Sequence, residues 1–467
     1  VWSPLSVLAI VDPMDHGAAG DGVSDDLDAL VASVDALPDA GGIVYLPPGA
    51  TFLKTDLWEI EKSHVKLWAP NRQAEIFGRI DGELRHQSIL CRNNEGCGFF
   101  GVKLRSDAVE RFDALEDNQI SADNGSLVEV VGCEIDGSAA TGVFLYGSTE
   151  HYIEGNYIHH TWADHVHHTN GATASWVWGN YILNEAPSDG DDGVACVTYG
   201  VGSPRCGDME WWQNTILHGG WGRGYSVIGG DDIHIHDNWA IGTAGAGIIV
   251  ASEGSYDSAS SQHIRIMNNA VYQCSHAIGH PGILISGLNA GAEPLDDIQL
   301  VDNVSADNVL GGAYNAEGEY TNVTNTGLST SAADLPSPIP TSDDIQLADT
   351  SILRTRDVSH VDAGLRAGLY RIHVRVSPTD SGFEQRFEYL VSGPEAAVAS
   401  FVAERTDAGD YLSEQAEAGG STYALLLTSA PIAIPSDLAG VSFRDLRAGD
   451  LSGELASLWE RTDSGAY

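Results

Sequence analysis

An asparagine recurs through the middle of the chain in a fixed local setting. The segments IEGNYIHH from residue 153, VWGNYILN from 177, WWQNTILH from 211, IHDNWAIG from 235, IMNNAVYQ from 266 and LVDNVSAD from 300 share one pattern, an Asn three places after an apolar residue. The aligned residues are Asn156, Asn180, Asn214, Asn238, Asn269 and Asn303, at steps of 24, 34, 24, 31 and 34. An earlier segment, VEVVGCEIDG from residue 128, puts Cys133 at the same place. Alternation of period two precedes each Asn, with Ile233 and Ile235 predicted inward and His234 and His236 outward. Each segment reads as a short strand ended by a turn, where Asn tolerates the left-handed conformation and bonds to nearby backbone. Strand-rich self-similarity at this period, without helical periodicity, predicts an all-β fold, a right-handed parallel β-helix. Successive coils then stack roughly 4.8 Å apart, and equivalent side chains form ladders. The Asn ladder is explained by holding turns together and needs no catalytic role.

The N-terminal stretch carries a second pattern. Residues 25–37 read as an amphipathic helix with Leu27, Leu30, Val31 and Val34 on one face and acids in the first turn, followed by Gly41, Gly42 and the strand IVYLPPG. This opening resembles that of the pectate-lyase-like superfamily, which implies an N-terminal capping helix over the open edge of the first coil. After Ser329 the repeats fade into a Pro- and Ser-rich stretch. Beyond it YRIHVRVSP from 370, FEQRFEYLVSG from 383 and STYALLLTS from 421 alternate as antiparallel strands do. The expected organisation is a β-helix over 1–335, a linker over 336–344, and a smaller C-terminal antiparallel β domain of sandwich type over 345–467, suited to sugar binding or oligomerisation.

Charge narrows the function. There are 66 acidic against 23 basic side chains, a net charge of −43. Such a surface repels itself in dilute buffer and is screened in molar salt, where the Debye length is roughly 3 Å, so a halophilic setting is expected. Nucleic acid is excluded as a partner, since no basic stripe exists to displace counterions. No apolar run is long enough for a membrane span. Cys91 with Cys97, and Cys196 with Cys206, are close enough to close small loops, whereas Cys133 and Cys274 fall on repeat coils as buried thiols. Two loop-closing pairs favour an oxidising, extracellular location, secreted or surface- and virion-exposed. Sequons at Asn124, Asn303 and Asn322 are compatible with that. The first residue, Val1, points to a removed leader or a mature end.

The stretch SDGDDGVACVTYG from residue 188 crowds Asp189, Asp191 and Asp192. One coil earlier stands Asp164, and one coil later Arg223 between two glycines. Stacking is expected to bring these onto one surface. Glycoside hydrolysis by inversion needs a protonated acid and an ionised base roughly 6.5–9.5 Å apart. Crowded carboxylates raise the pKa of one member, which keeps it protonated.

At these residues the chain resembles the β-helical glycoside hydrolases, the clan of polygalacturonases, dextranases and α-1,3-glucanases, and is nearest the last. The similarity covers about residues 125–290 and implies an inverting, endo-acting hydrolase of a polysaccharide with Asp164, Asp191 and Asp192 as catalytic residues. Polygalacturonases carry Gly-His-Gly after the paired aspartates, and Gly222-Arg223-Gly224 in its place argues against galacturonan. Arg223, His165, His167, Trp162, Trp178, Trp212, Trp221, Tyr225 and Glu253 are expected to bind substrate, the aromatics as platforms for sugar rings. His159, His160, His165, His167 and His168 are dense, but no spacing among them repeats a known ligand motif, so no metal site is assigned. No cofactor is expected for hydrolysis. A polysaccharide lyase is the enzymatic alternative, with Ca²⁺ on the aspartates and Arg223 as base. A viral or cell-surface glycan-binding spike is the other alternative, as a homotrimer where a hydrolase is a monomer.

Overall fold

The computed structural model describes residues 9–79, 88–184, 190–217, 221–288, 294–348 and 350, and beyond these only the backbone of scattered strands. The chain winds through three long parallel sheets of 12, 11 and 10 strands, each coil adding one strand to each sheet. Register along the first sheet runs Val177 to Trp211, Ile235, Ile266 and Leu300. All five are fully buried. The alternation that marked these strands is therefore the inside and outside of one wall. In Gln262–Met267, Ile264 and Ile266 point inward, while His263 is exposed and Arg265 half-buried. Each aliphatic side chain so buried contributes about 1.5–3 kcal/mol, repeated coil after coil.

The Asn ladder sits at the corner between the first and second sheets. Asn180 donates through Nδ2 to the carbonyl of Ile153 at 2.8 Å and to Asn214 Oδ1 at 2.9 Å, while its own Oδ1 accepts from Asn156. The pattern repeats from Asn214 to Asn238 at 3.1 Å, Asn238 to Asn269 at 3.0 Å and Asn269 to Asn303 at 3.0 Å. Each amide of this row thus finds partners, which is the condition for burying it. Cys133 starts the row: its backbone N–H donates to Asn156 Oδ1, and its thiol is free and buried. The disulfides are Cys91–Cys97 and Cys196–Cys206, as the spacing predicted.

A helix spans Leu27–Ala36 and buries Ala29, Leu30, Ser33 and Val34. It is shorter than the predicted segment, and Val31, expected on the buried face, turns to solvent because the inward stripe runs through Ala29, Leu30 and Ser33. The stretch expected as a linker, at Thr341, and the first residues of the expected C-terminal domain, at Ala348 and Thr350, lie against the solenoid. Tyr181 Oη donates to the Thr341 carbonyl, Ala348 N donates to Gly155 O at 2.9 Å, and Trp68 Nε1 donates to Thr350 O at 3.0 Å. The chain thus returns along the outside from the last coil to the early ones. The β domain expected over 345–467 lies almost wholly outside the described residues.

Candidate active site

Strands Val143–Tyr146, Val166–Thr169, Val194–Val197, Tyr225–Ile228 and Ile248–Ala251 are consecutive neighbours in the third sheet. The corners entering three of them carry Asp164, the Asp191–Asp192 pair and Arg223. A cleft of about 690 Å³ lies over this face, lined by all four residues together with His167, Glu253, Arg111 and Tyr199, among others. Coil stacking has brought residues distant in the chain into one groove. Glycines bracket Arg223 because there is no room for more: a Cβ on Gly222 would stand 2.1 Å from the Asp191 carbonyl carbon, and one on Gly224 2.3 Å from Gly247 O.

One oxygen from each of Asp164, Asp191 and Asp192 can be chosen so that all lie within 4.8 Å of one another. Their surroundings differ. Asp192 is buried and held bidentately, its Oδ1 accepting from Arg223 Nε at 2.8 Å and its Oδ2 from Arg223 Nη2 at 3.0 Å. The Arg223 backbone N–H adds a further bond at 2.8 Å. Arg223 also reaches Glu253 through Nη1 at 2.5 Å. Asp164 accepts from the Asp192 backbone N–H at 2.8 Å and is hydrogen-bonded to His167 Nδ1. Burial alone would raise the Asp164 pKa, but the His167 contacts, the Asp192 N–H and the Arg223 charge outweigh it and lower it. Asp191 goes the other way. Burial, then the charges of Asp164 and Asp192, push it up to about 7, against the pull of Arg111, whose Nη1 donates to it at 2.9 Å.

His167 is buried, stacks on Phe144 with centroids 5.3 Å apart, and keeps its Nε2 without a protein partner. Its Nδ1 is turned to the Asp164 carboxylate. Tyr199 and Tyr256 form an edge-to-face pair at 5.4 Å on the same cleft.

Several expected substrate contacts are placed elsewhere. Tyr225 is fully buried, because it is an inward residue in register with Val194, and its hydroxyl donates to the carbonyls of Asn214 and Trp239. His165 is buried at the corner, its Nδ1 near Asp192 O and its pKa lowered to about 4, chiefly by burial. Trp178 and Trp212 do face outward, but on the first sheet, away from the groove, and they stack on each other at 5.0 Å with planes 4° apart. The stack covers one face of Trp178 and, with His236 at 6.1 Å in the next coil, both faces of Trp212. Trp162 is half-buried and donates to Ala108 O at 3.2 Å, bracing the loop that carries Arg111. Trp221 is exposed and outside the cleft lining. Asp189 lies outside the described residues. Conversely, Arg111, Phe144, Tyr146, Tyr199 and Tyr256 line the cleft without having been anticipated. Phe144 and Tyr146 were within reach of the alternation in VFLY, whereas nothing periodic marks Arg111, which lies 80 residues before its partner Asp191.

Residues 118–327 match the family model described as "Right handed beta helix region". No curated protein matches the sequence. Among solved structures, the catalytic unit of a thermostable GH87 α-1,3-glucanase from Streptomyces thermodiastaticus is similar at 19% identity and a TM-score of 0.52, over 71% of this chain and 65% of that one. The catalytic domain of a GH87 α-1,3-glucanase in complex with tetrasaccharides is similar at 12% identity and a TM-score of 0.50, over 70% and 69% of the two chains. The mannuronan C-5 epimerase A-module of Azotobacter vinelandii is similar at 18% identity and a TM-score of 0.46, over 69% and 99%. At these identities the likeness is one of fold, and with the three stacked sheets it makes this chain a right-handed parallel β-helix protein.

Proposed function

We propose that the cleft hydrolyses a neutral polysaccharide, with Asp191 as the general acid. The observation carrying this is the unequal treatment of neighbouring carboxylates: Asp192 is clamped by Arg223, while Asp191 is pushed up to about 7 by burial and by Asp164 and Asp192. An acid with that pKa is protonated in part at neutral pH and can donate to a leaving glycosidic oxygen. On the water side, Asp164 is hydrogen-bonded to His167, whose ring lines the cleft and whose buried Nε2 has no protein partner, and we assign the role of base to this carboxylate–imidazole couple. The nearest oxygens of the aspartates are closer than the roughly 6.5–9.5 Å of an inverting carboxylate pair. In this reading inversion runs between Asp191 and the Asp164–His167 couple rather than within the aspartate trio.

Charge supports a neutral chain over a uronan. The lining holds Asp113, Asp123, Asp164, Asp191, Asp192 and Glu253 against Arg111 and Arg223, and both guanidiniums are already paired. Elimination with Arg223 as base is disfavoured for the same reason, since its two carboxylate partners hold its proton more firmly despite burial. An α-1,3-glucan is the first substrate to try, in keeping with the fold shared with α-1,3-glucanases. The helix Leu27–Ala36 serves in this reading as the cap of the first coil, residues 345–467 as an accessory domain, and the disulfides and acidic surface fit an extracellular, saline setting. The test is digestion of neutral glucans and uronans in molar salt, followed by reducing-end assay and proton NMR of the first anomer released. New reducing ends from a neutral glucan, absent with Asp191→Asn, support the proposal. Unsaturated products from a uronan would refute it.

A further inference from the structure

A second cluster lies outside the cleft, on the second sheet. Asp136 in Glu134–Ser138 is in direct register with His159 in Tyr157–Thr161. His160, the next residue, has φ 56°, a left-handed corner that its counterpart in the preceding coil, Gly137, also adopts at φ 89°. The bend lets two consecutive imidazoles converge on one carboxylate. His160 Nδ1 lies 2.9 Å from Asp136 Oδ1 and 2.9 Å from His159 Nδ1, and His159 Nδ1 lies 3.5 Å from Asp136 Oδ1.

Protons alone serve only part of this triangle. If both Nδ1 atoms are protonated, two N–H groups oppose each other at 2.9 Å. If only His160 is, its N–H serves the carboxylate at 2.9 Å but the His159 lone pair is left 3.5 Å from the same oxygen. If only His159 is, the His160 lone pair faces that oxygen at 2.9 Å. A cation at the centre satisfies all three lone pairs at once. Donors about 2.0–2.1 Å from a tetrahedral Zn²⁺ stand about 3.3 Å apart, and the observed edges of 2.9, 2.9 and 3.5 Å bracket that value.

The surroundings fit the same reading. His159 is buried, and its Nε2 has no hydrogen-bond partner but looks toward Glu134 Oε1 at 3.6 Å, which Lys103 holds at 3.0 Å. A proton on Nε2 facing that carboxylate leaves Nδ1 free to ligate, the usual outer arrangement of a metal-bound histidine. The outer sides of His160 and Asp136 are partly open, which gives an ion a way in and leaves positions for water.

We propose that Asp136, His159 and His160 bind one divalent transition-metal ion of the Zn²⁺ type. Two imidazoles and one carboxylate select such an ion over Ca²⁺ or Mg²⁺, which take oxygen donors. The ion would pin the strand Tyr157–Thr161, whose end leads within three residues to Asp164.

The test uses the full chain, stripped with EDTA and titrated with Co²⁺ by visible absorption and with Zn²⁺ by calorimetry. One equivalent is expected, with Co²⁺ bands characteristic of nitrogen ligation, and a higher Tm with Zn²⁺. His160→Ala and Asp136→Asn, checked by circular dichroism in EDTA, should each weaken binding at least tenfold and abolish the Tm rise, while His236→Ala should change neither. Absence of binding by the wild type, undiminished binding by both variants, or binding lost only with Asp191→Asn would overturn the assignment. Should a variant misfold, the wild-type spectrum still decides, because an all-oxygen Co²⁺ spectrum is incompatible with it.

Discussion

Arg223 closes on Asp192 through two near-parallel hydrogen bonds, Nε to Oδ1 at 2.8 Å and Nη2 to Oδ2 at 3.0 Å, while its remaining nitrogen holds Glu253. The guanidinium thereby joins one coil to the next across the floor of the cleft. Its charge also draws the Asp191 pKa down, but by less than burial and the charges of Asp164 and Asp192 push it up.

Replacing Asp191 separates chemistry from stability. Asp191→Asn should lower kcat by about 10²–10⁴, the usual worth of a positioned acid. The same change should stabilise the fold at neutral pH. A carboxyl with a raised folded pKa destabilises the native state as pH rises from its unfolded value toward about 7, by roughly 1.4 kcal/mol per pH unit. Steady-state kinetics together with thermal melts at pH 5 and 8 check both signs.

The alkaline limb of activity should report Asp191 and respond to Arg111. Wild-type kcat/KM is expected to fall as pH rises through about 7, where the acid ionises. Arg111→Ala removes a cation that favours the ionised form, so the limb should move to higher pH. Arg111 is partly exposed, so the melting temperature should change little. An unmoved limb would place the titrating group elsewhere.

Acid should unfold the protein through buried imidazoles before it protonates ordinary carboxylates. His151, His165 and His168 are buried with lowered pKa values, His165 to about 4 and His168 to about 3, in each case chiefly by burial. Their unfolded forms bind protons first, so stability falls as pH drops from about 6.5 toward about 4. Asp191 opposes this with one group against three. Denaturant midpoints across that range should decline, and His168→Gln should flatten the slope.

The Asn row should be least tolerant in its middle. Asn214→Ala would strip partners from Asn180, Asn238 and the Val177 carbonyl. Each buried group left unsatisfied costs about 1–3 kcal/mol. Asn303→Ala, at the end of the row, leaves fewer orphans. Guanidinium midpoints should rank the two variants accordingly.

The solenoid was legible because its cause is periodic. A buried Asn and an alternating strand must recur wherever a coil closes, so Asn156 through Asn303 mark the corners in the primary structure itself. Asp164, Asp191, Asp192 and Arg223 were legible by the same logic, falling at equivalent corners of successive coils. The aromatics show where that logic stops. Alternation separates inside from outside but does not say which of three faces is outside, so Trp178 and Trp212 were correctly turned to solvent yet belong to the first sheet. Tyr225 differs by a single place, which in a strand of period two is the difference between cleft and core.

Local pattern, then, specifies the coil, its corners and the carboxylates it presents, because those depend on near neighbours and a fixed repeat. Arg111 reaching Asp191 from 80 residues away, His167 backing onto Asp164, and His159 and His160 converging on Asp136 depend instead on loop paths, χ angles and the stagger between coils. Those quantities exist only once the coils are stacked, since each is a distance between side chains that no spacing along the chain encodes.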